Sequence, residues 1–121
     1  MKRTPKSEFA CSELTEYHGR RLADGTCEVT VLRHGQKPVP LDWETTLLVR
    51  NHSPAGLNWG YGGSGPAQLA LAMLLDWFED VGFAVAYYQR FKTAFIAPID
   101  RDEFRISGAE LRAWLDAINE E

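Results

Sequence analysis

The sequence predicts an α+β fold: one small domain in which a short antiparallel sheet packs on a buried central helix and a C-terminal helix. Three observations predict it. Asp24-Gly25, a hairpin signal, is followed by a segment that alternates apolar and polar side chains. Residues 66–80 carry apolar side chains on nearly every helical face, which suits a central buried helix. Leu111, Trp114, Leu115 and Ile118 recur at i, i+3, i+4, i+7 behind the capping box Ser107-Gly108-Ala109-Glu110. A length of 121 residues suits one domain, and 45% hydrophobic with 25% charged residues is ordinary for a globular chain.

The elements follow in order. Residues 1–16 are read as a flexible N-terminal arm, with Lys2, Arg3 and Lys6 clustered and little apolar content before Phe9. The domain is expected over residues 17–121. Tyr17 to Leu22 is a first strand. Residues 26–32 are a second, with Cys27, Val29 and Val31 on one face. Gly35, Pro38 and Pro40 end it. Leu47-Leu48-Val49 reads as the tail of a short third strand after Trp43. Pro66 fits the first turn of a helix capped by Ser64 or Gly65, and Gly82 is expected to end that helix near Asp80. Residues 83–91 are ambiguous between helix and strand. Ala84, Tyr87, Tyr88 and Phe91 fit helical spacing, while Gln89 interrupts the alternating face, so a second helix is favoured. Ala94 to Ile99 is β-like, and Phe104-Arg105-Ile106 is a short strand before the last helix. The expected order is β-β-β-α-α-β-α.

The formal net charge is −4, and residues 100–121, with seven acidic and three basic side chains, hold all of it. A pI near 5.4 argues against a general nucleic-acid binder. No Asp, Glu, Lys or Arg occurs between Arg50 and Asp76. This window is rich in glycine, and its longest apolar run, Leu69 to Leu75, falls short of the roughly 20 residues that span a bilayer. No apolar segment follows the basic start, so a secretory signal is not expected. Cys11 and Cys27 read as free thiols of a cytoplasmic protein. His18, His34 and His52 lack metal-ligand spacing, so no metal is expected, and no cofactor.

Function is hinted at in one place. Gly60-Tyr61-Gly62-Gly63-Ser64-Gly65 satisfies G-x-G-x-x-G ahead of a helix. A Rossmann fingerprint also needs a clear strand before the motif and a downstream acidic residue in a second strand, and neither is evident. A Walker loop needs a Lys-Ser/Thr pair after the last glycine, which is missing. Two readings stay open. In one, the glycines serve a tight turn and close backbone packing. In the other, the amides of Gly62 to Ala67 face an anion, with Trp59 or Tyr61 as an exposed stacking surface and Arg50, Arg90 or Lys92 approaching from neighbouring segments. The candidate ligand-binding residues are Asn51, His52, Trp59, Tyr61, Gly62, Gly63, Ser64, Gly65, Gln68 and Arg90. No catalytic residue is assigned. Ser64 with His52 as base does not form the G-x-S-x-G elbow, and a cap role suits Ser64 better. His52 suits either a turn histidine bonded to its own backbone or a donor beside the loop. Asp76 is expected to face an exposed strip or to pair with a base such as Arg90.

The run Asn51-His52-Ser53-Pro54-Ala55-Gly56-Leu57-Asn58-Trp59-Gly60-Tyr61-Gly62-Gly63-Ser64-Gly65-Pro66-Ala67-Gln68-Leu69-Ala70 resembles the signature of a family of small uncharacterised proteins. Tyr88-Gln89-Arg90-Phe91-Lys92 and the segment from Ile106 to Trp114 resemble its second half, so the likeness spans about residues 17–118. That family is classed as a domain of unknown function of prokaryotes, plasmids and phages. The resemblance implies a compact α+β domain with the loop-helix at its centre and a frequent mobile-element context, and the family has no established activity to carry over. The leading expectation is a non-enzymatic binding module for a phosphate-bearing or nucleotide-like ligand. The alternative is a phage or mobile-element protein that binds and inhibits a host defence complex, and an enzyme ranks third.

Overall fold

β1 (Glu16–Arg21) and β2 (Cys27–Leu32) form the expected hairpin, in the register Tyr17↔Val31 and Gly19↔Val29. The computed structural model describes residues 7–120. At the turn Gly25 takes φ +89°, and the Asp24 carboxylate accepts the Thr26 N–H at 2.9 Å. β3 (Val39–Pro40) joins β2 and β4 (Glu103–Ser107) joins β1, giving an antiparallel sheet of order β3-β2-β1-β4. Tyr17, Val29, Val31 and Ile106 point to its buried face.

Three helices complete the domain: α1 (Ser64–Phe78), α2 (Val81–Phe91) and α3 (Gly108–Asn119). This is the α+β architecture that the sequence predicts. α1 is the central helix, and every residue from Gly65 to Leu74 is buried. Its apolar faces meet the sheet on one side and α2 on another, which explains why it needs no polar stripe in that stretch. The ambiguous segment 83–91 is helical. Asp80 caps α2 by accepting the Phe83 N–H at 2.9 Å. The capping box of α3 is formed: Ser107 Oγ accepts the Glu110 N–H, and the Glu110 carboxylate accepts the Ser107 N–H. Among the described residues, no helix is long and apolar enough to cross a membrane. Cys11 and Cys27 are not joined in a disulfide.

Several expected details are corrected. The third strand is Val39–Pro40, not Leu47-Leu48-Val49: Leu47 and Leu48 belong to a 3-10 turn at Thr45–Leu48, and Val49 is its C-cap. Local hydrogen bonds decide this: Asp42 accepts from the Thr45 N–H and hydroxyl, and Thr46 Oγ1 donates to Trp43 O. The β-like segment 94–99 is not a strand. Lys92–Ile96 is a π-helical continuation of α2, closed by Ala97 N–H to Lys92 O at 2.9 Å. Burial of Ile96 and the packing of the Phe95 ring on Phe91 override the β propensity of these residues. Gly82 does not end α1. Glu79 does, in the left-handed region at φ 59°, and Gly82 lies in the first turn of α2. The N-cap of α1 is Gly63, not Ser64 or Gly65.

Asp76 pairs with Arg33, not Arg90. Arg33 Nη1 and Nη2 grip its carboxylate at 3.0 and 2.7 Å, and Tyr17 Oη donates to it at 2.7 Å. Of the expected arm, residues 1–6 lie outside the described residues. Ser7 to Thr15 run along the body: Cys11 N–H donates to Trp77 O at 2.7 Å, and Trp77 Nε1 donates to Ser12 O at 2.9 Å. The chain crosses the start of α3 so closely that a Cβ on Gly108 would stand 2.0 Å from Ser12 O.

Candidate functional site

The first part of the uncharged window, residues 51–63, folds as a loop that brings the N-terminal end of α1 to the β1–β2 turn. Ser53 closes its first turn by donating to Gly56 O at 2.6 Å. Asn58 is the hub of the next stretch. Its Oδ1 accepts from Arg21 Nη2 at 2.7 Å, from Trp59 N–H at 2.9 Å and from Cys27 Sγ at 3.5 Å. The Arg21 guanidinium also donates to Trp59 O and to the Asp102 carboxylate, and lies 4.8 Å over the Trp59 ring. The Asp102 hydrogen bond holds Arg21 above the usual guanidinium range, with the neighbouring Cys27 adding to it.

Trp59 is not an exposed stacking surface. It is 1% exposed, meets Phe104 edge-on at 4.8 Å, and its indole N–H donates to Arg101 O. After it the chain turns at Gly60, whose φ of +90° and N–H bond to Ile96 O set the backbone against Ile99. A Cβ there would stand 2.8 Å from Ile99 O. Tyr61 does reach the surface, at 47% exposure, and its ring folds back across the helix start. A Cβ on Gly63 would stand 2.4 Å from that ring, and one on Gly65 would stand 2.7 Å from Asn58 Cβ. These two glycines make room for Tyr61 and Asn58 without a positive φ. Gly62 has open space around it. Ser64 is exposed.

A groove of about 580 Å³ lies between the hairpin turn and this loop. Its wall includes Asp24, Cys27, Trp43, Asn58, Tyr61 and Gly65. Asp24 is the one ionised side chain in that wall, and the Thr26 backbone N–H holds its carboxyl below the usual range. At the start of α1 no side chain caps the helix. Pro66 has no N–H, and the Ala67 N–H donates to Gly63 O at 3.1 Å, so neither residue brings a free amide to the helix start. Of the three cations that could approach, Lys92 reaches the loop, its Nζ donating to Gly62 O at 3.3 Å.

The other sequence candidates sit elsewhere. Gln68 is fully buried, and its amide clasps the preceding loop. Its Oε1 accepts from the His52 and Ser53 amides at 2.8 and 3.1 Å, and its Nε2 donates to Thr46 Oγ1 and Arg50 O. The His52 ring pairs with Tyr88 Oη at 2.7 Å rather than with its own backbone or with Ser64. Asn51 is exposed. Arg90 lies over the Tyr87 ring on the outer side of α2, in a separate cleft with Trp114. Among the described residues, no cluster of three or more His, Cys, Asp or Glu could hold a metal ion.

Sequence reasoning missed Asp24, Cys27, Trp43 and Asn58 as groove residues. The hairpin signal Asp24-Gly25 places Cys27 at a strand start, but nothing local says which distant loop packs beside it. The family described as a family of unknown function, DUF6166, matches residues 17–117, and the chain belongs to it. No curated protein and no solved structure matches the chain.

Proposed function

We propose that this DUF6166 member is a non-enzymatic binding module that takes a phosphate-bearing, nucleotide-like ligand in the groove at the start of α1. One observation carries the reading: the hairpin turn and the glycine-rich loop together wall a groove of about 580 Å³ that ends at Gly65 of α1. That volume falls in the range of about 300–1,000 Å³ typical of small-molecule sites. Tyr61 and Trp43 supply aromatic surface for a base. The Asn58 amide and the Asp24 carboxylate supply polar contacts for ring nitrogens or ribose hydroxyls. The Ser64 and Gly65 amides lie at the positive end of the α1 dipole, where a phosphate is favoured. Lys92, held at Gly62 O, adds a cation on the same loop. The wall offers shape and hydrogen bonding, while the nearby His52 is engaged with Tyr88 rather than aimed at the groove.

Thermal unfolding in the presence of linear, cyclic and ADP-ribose-type nucleotides tests this. A ligand at about one hundred times its Kd stabilises the folded chain by about 2.7 kcal/mol, a readily measured rise in Tm. Tyr61→Ala is expected to remove the rise while leaving the unliganded protein folded, because Tyr61 is half exposed. Absence of stabilisation by every member of the panel overturns the reading.

A further inference from the structure

The sheet has two edges of unequal character. β3 is the two residues Val39–Pro40 directly after Pro38, and prolines carry no amide N–H, so that edge resists a further strand. β4 spans Glu103–Ser107 and has no proline. Its register on β1 decides which of its groups face outward. Arg21 N–H donates to Asp102 O, and Gly108 N–H donates to Thr15 O. Gly19↔Phe104 and Tyr17↔Ile106 fall on the same alternation, so Phe104 and Ile106 turn their main-chain groups to β1. Glu103, Arg105 and Ser107 turn theirs away. The Ser107 N–H is taken by the Glu110 carboxylate, and Ser107 is the N-cap of α3. The outward edge therefore offers the N–H and C=O of Glu103 and Arg105. Both side chains are exposed, on the sheet face opposite the buried Ile106.

We propose that β4 pairs antiparallel with β4 of a second copy of this chain, centred on Phe104, so that Glu103 of each copy faces Arg105 of the other. In this register the two outward residues of one strand meet the two of the other, and four N–H···O bonds satisfy all of their open main-chain groups. Residues directly opposite in an antiparallel pair project to the same face, so two Glu–Arg pairs close across the seam. The neighbouring register, centred on Arg105, sets Arg105 against itself and Glu103 against Ser107. Charged edge residues ordinarily deter strand pairing. The Glu-x-Arg alternation turns that deterrent into selection of one partner and one register. The seam is short, so the dimer is weak, and its ion pairs make it sensitive to salt.

Sedimentation equilibrium of the full chain from micromolar to millimolar concentration, at low salt, tests the proposal. The expected mass rises from 13.7 kDa toward twice that value as concentration increases. Glu103→Arg or Arg105→Glu alone sets like charges opposite one another twice and is expected to give a monomer throughout. The double exchange Glu103→Arg/Arg105→Glu restores both pairs and is expected to restore the dimer. Circular dichroism checks that each exposed-site variant stays folded. A wild type that remains monomeric over the whole range, a single variant that associates like the wild type, or a double exchange that stays monomeric would each overturn the proposal.

Discussion

Gly62 and Gly65 stand three residues apart in one glycine-rich run and look alike in the sequence, yet they do different work. A Cβ on Gly65 would press into Asn58 Cβ at 2.7 Å and into Asn58 N at 3.1 Å, while a Cβ on Gly62 would meet nothing within 4 Å. Gly65→Ala is therefore expected to destabilise by about 1–3 kcal/mol, the usual cost of overpacking. Gly62→Ala is expected to stay within about 0.5 kcal/mol of the wild type. Urea unfolding of the two variants decides it, and equal effects would remove the steric account of the loop. The glycines themselves were legible. Which of them matters was not, because the answer depends on Tyr61 and Asn58 folding back over the helix start. The same holds for Trp59 and Gln68. Both belong to the most distinctive run of the chain, and both are buried by partners far off in sequence: Phe104 and Arg101 for Trp59, Thr46 and Arg50 for Gln68.

At the scale of elements, legibility followed the range of the interactions. The hairpin, the helix at 83–91 and the capped C-terminal helix could be read because turn chemistry, spacing and caps are local. Ser107 and Glu110 satisfy each other within one turn, and that turn also ends β4. Ser107→Ala leaves the Glu110 N–H without its acceptor and is expected to cost about 1 kcal/mol, read as a lower urea midpoint with an unchanged slope. An unchanged midpoint would mean that the box contributes nothing beyond its geometry. Of the two segments where strand was expected and none formed, tertiary packing controls the later one, and short-range side-chain hydrogen bonds the earlier one. Ala94 to Ile99 reads as β-like, but Phe95 and Trp114 pack on Phe91, and the helix widens into a π turn at Lys92–Ile96 with Ile96 buried. Thr45–Leu48 has the composition of a strand but no neighbour to pair with, and Asp42 with Trp43 turns it into a 3-10 helix.

At the scale of the molecule, one polar joint fastens the sheet to the central helix. Tyr17 comes from β1, Arg33 follows β2, and both converge on Asp76 of α1. The charge of Asp76 on an apolar helix was visible in the sequence. Its partners were not, since they lie 43 and 59 residues away. Burial, then the Asp76 charge and hydrogen bond, push the Tyr17 hydroxyl well above its ordinary value of 10.0. In the unfolded chain that hydroxyl titrates near its ordinary value, about pH 10. Between that point and the higher folded value the native state keeps a proton that the unfolded state has lost. Stability from this group is thus fully present below about pH 10 and fades as pH rises through the folded value. Ionisation would also set a phenolate against the Asp76 carboxylate. Tyr17→Phe keeps the Arg33–Asp76 pair and removes only the hydroxyl. It is expected to cost about 2 kcal/mol at neutral pH, the scale of a hydrogen bond to a charged acceptor. Because every other tyrosine is common to both proteins, the difference between wild type and variant isolates this one. That difference, followed by urea unfolding from about pH 7 to about pH 11, is expected to shrink above about pH 10. A difference that holds constant across the whole range would mean that Tyr17 is not the group through which alkali loosens the sheet from α1.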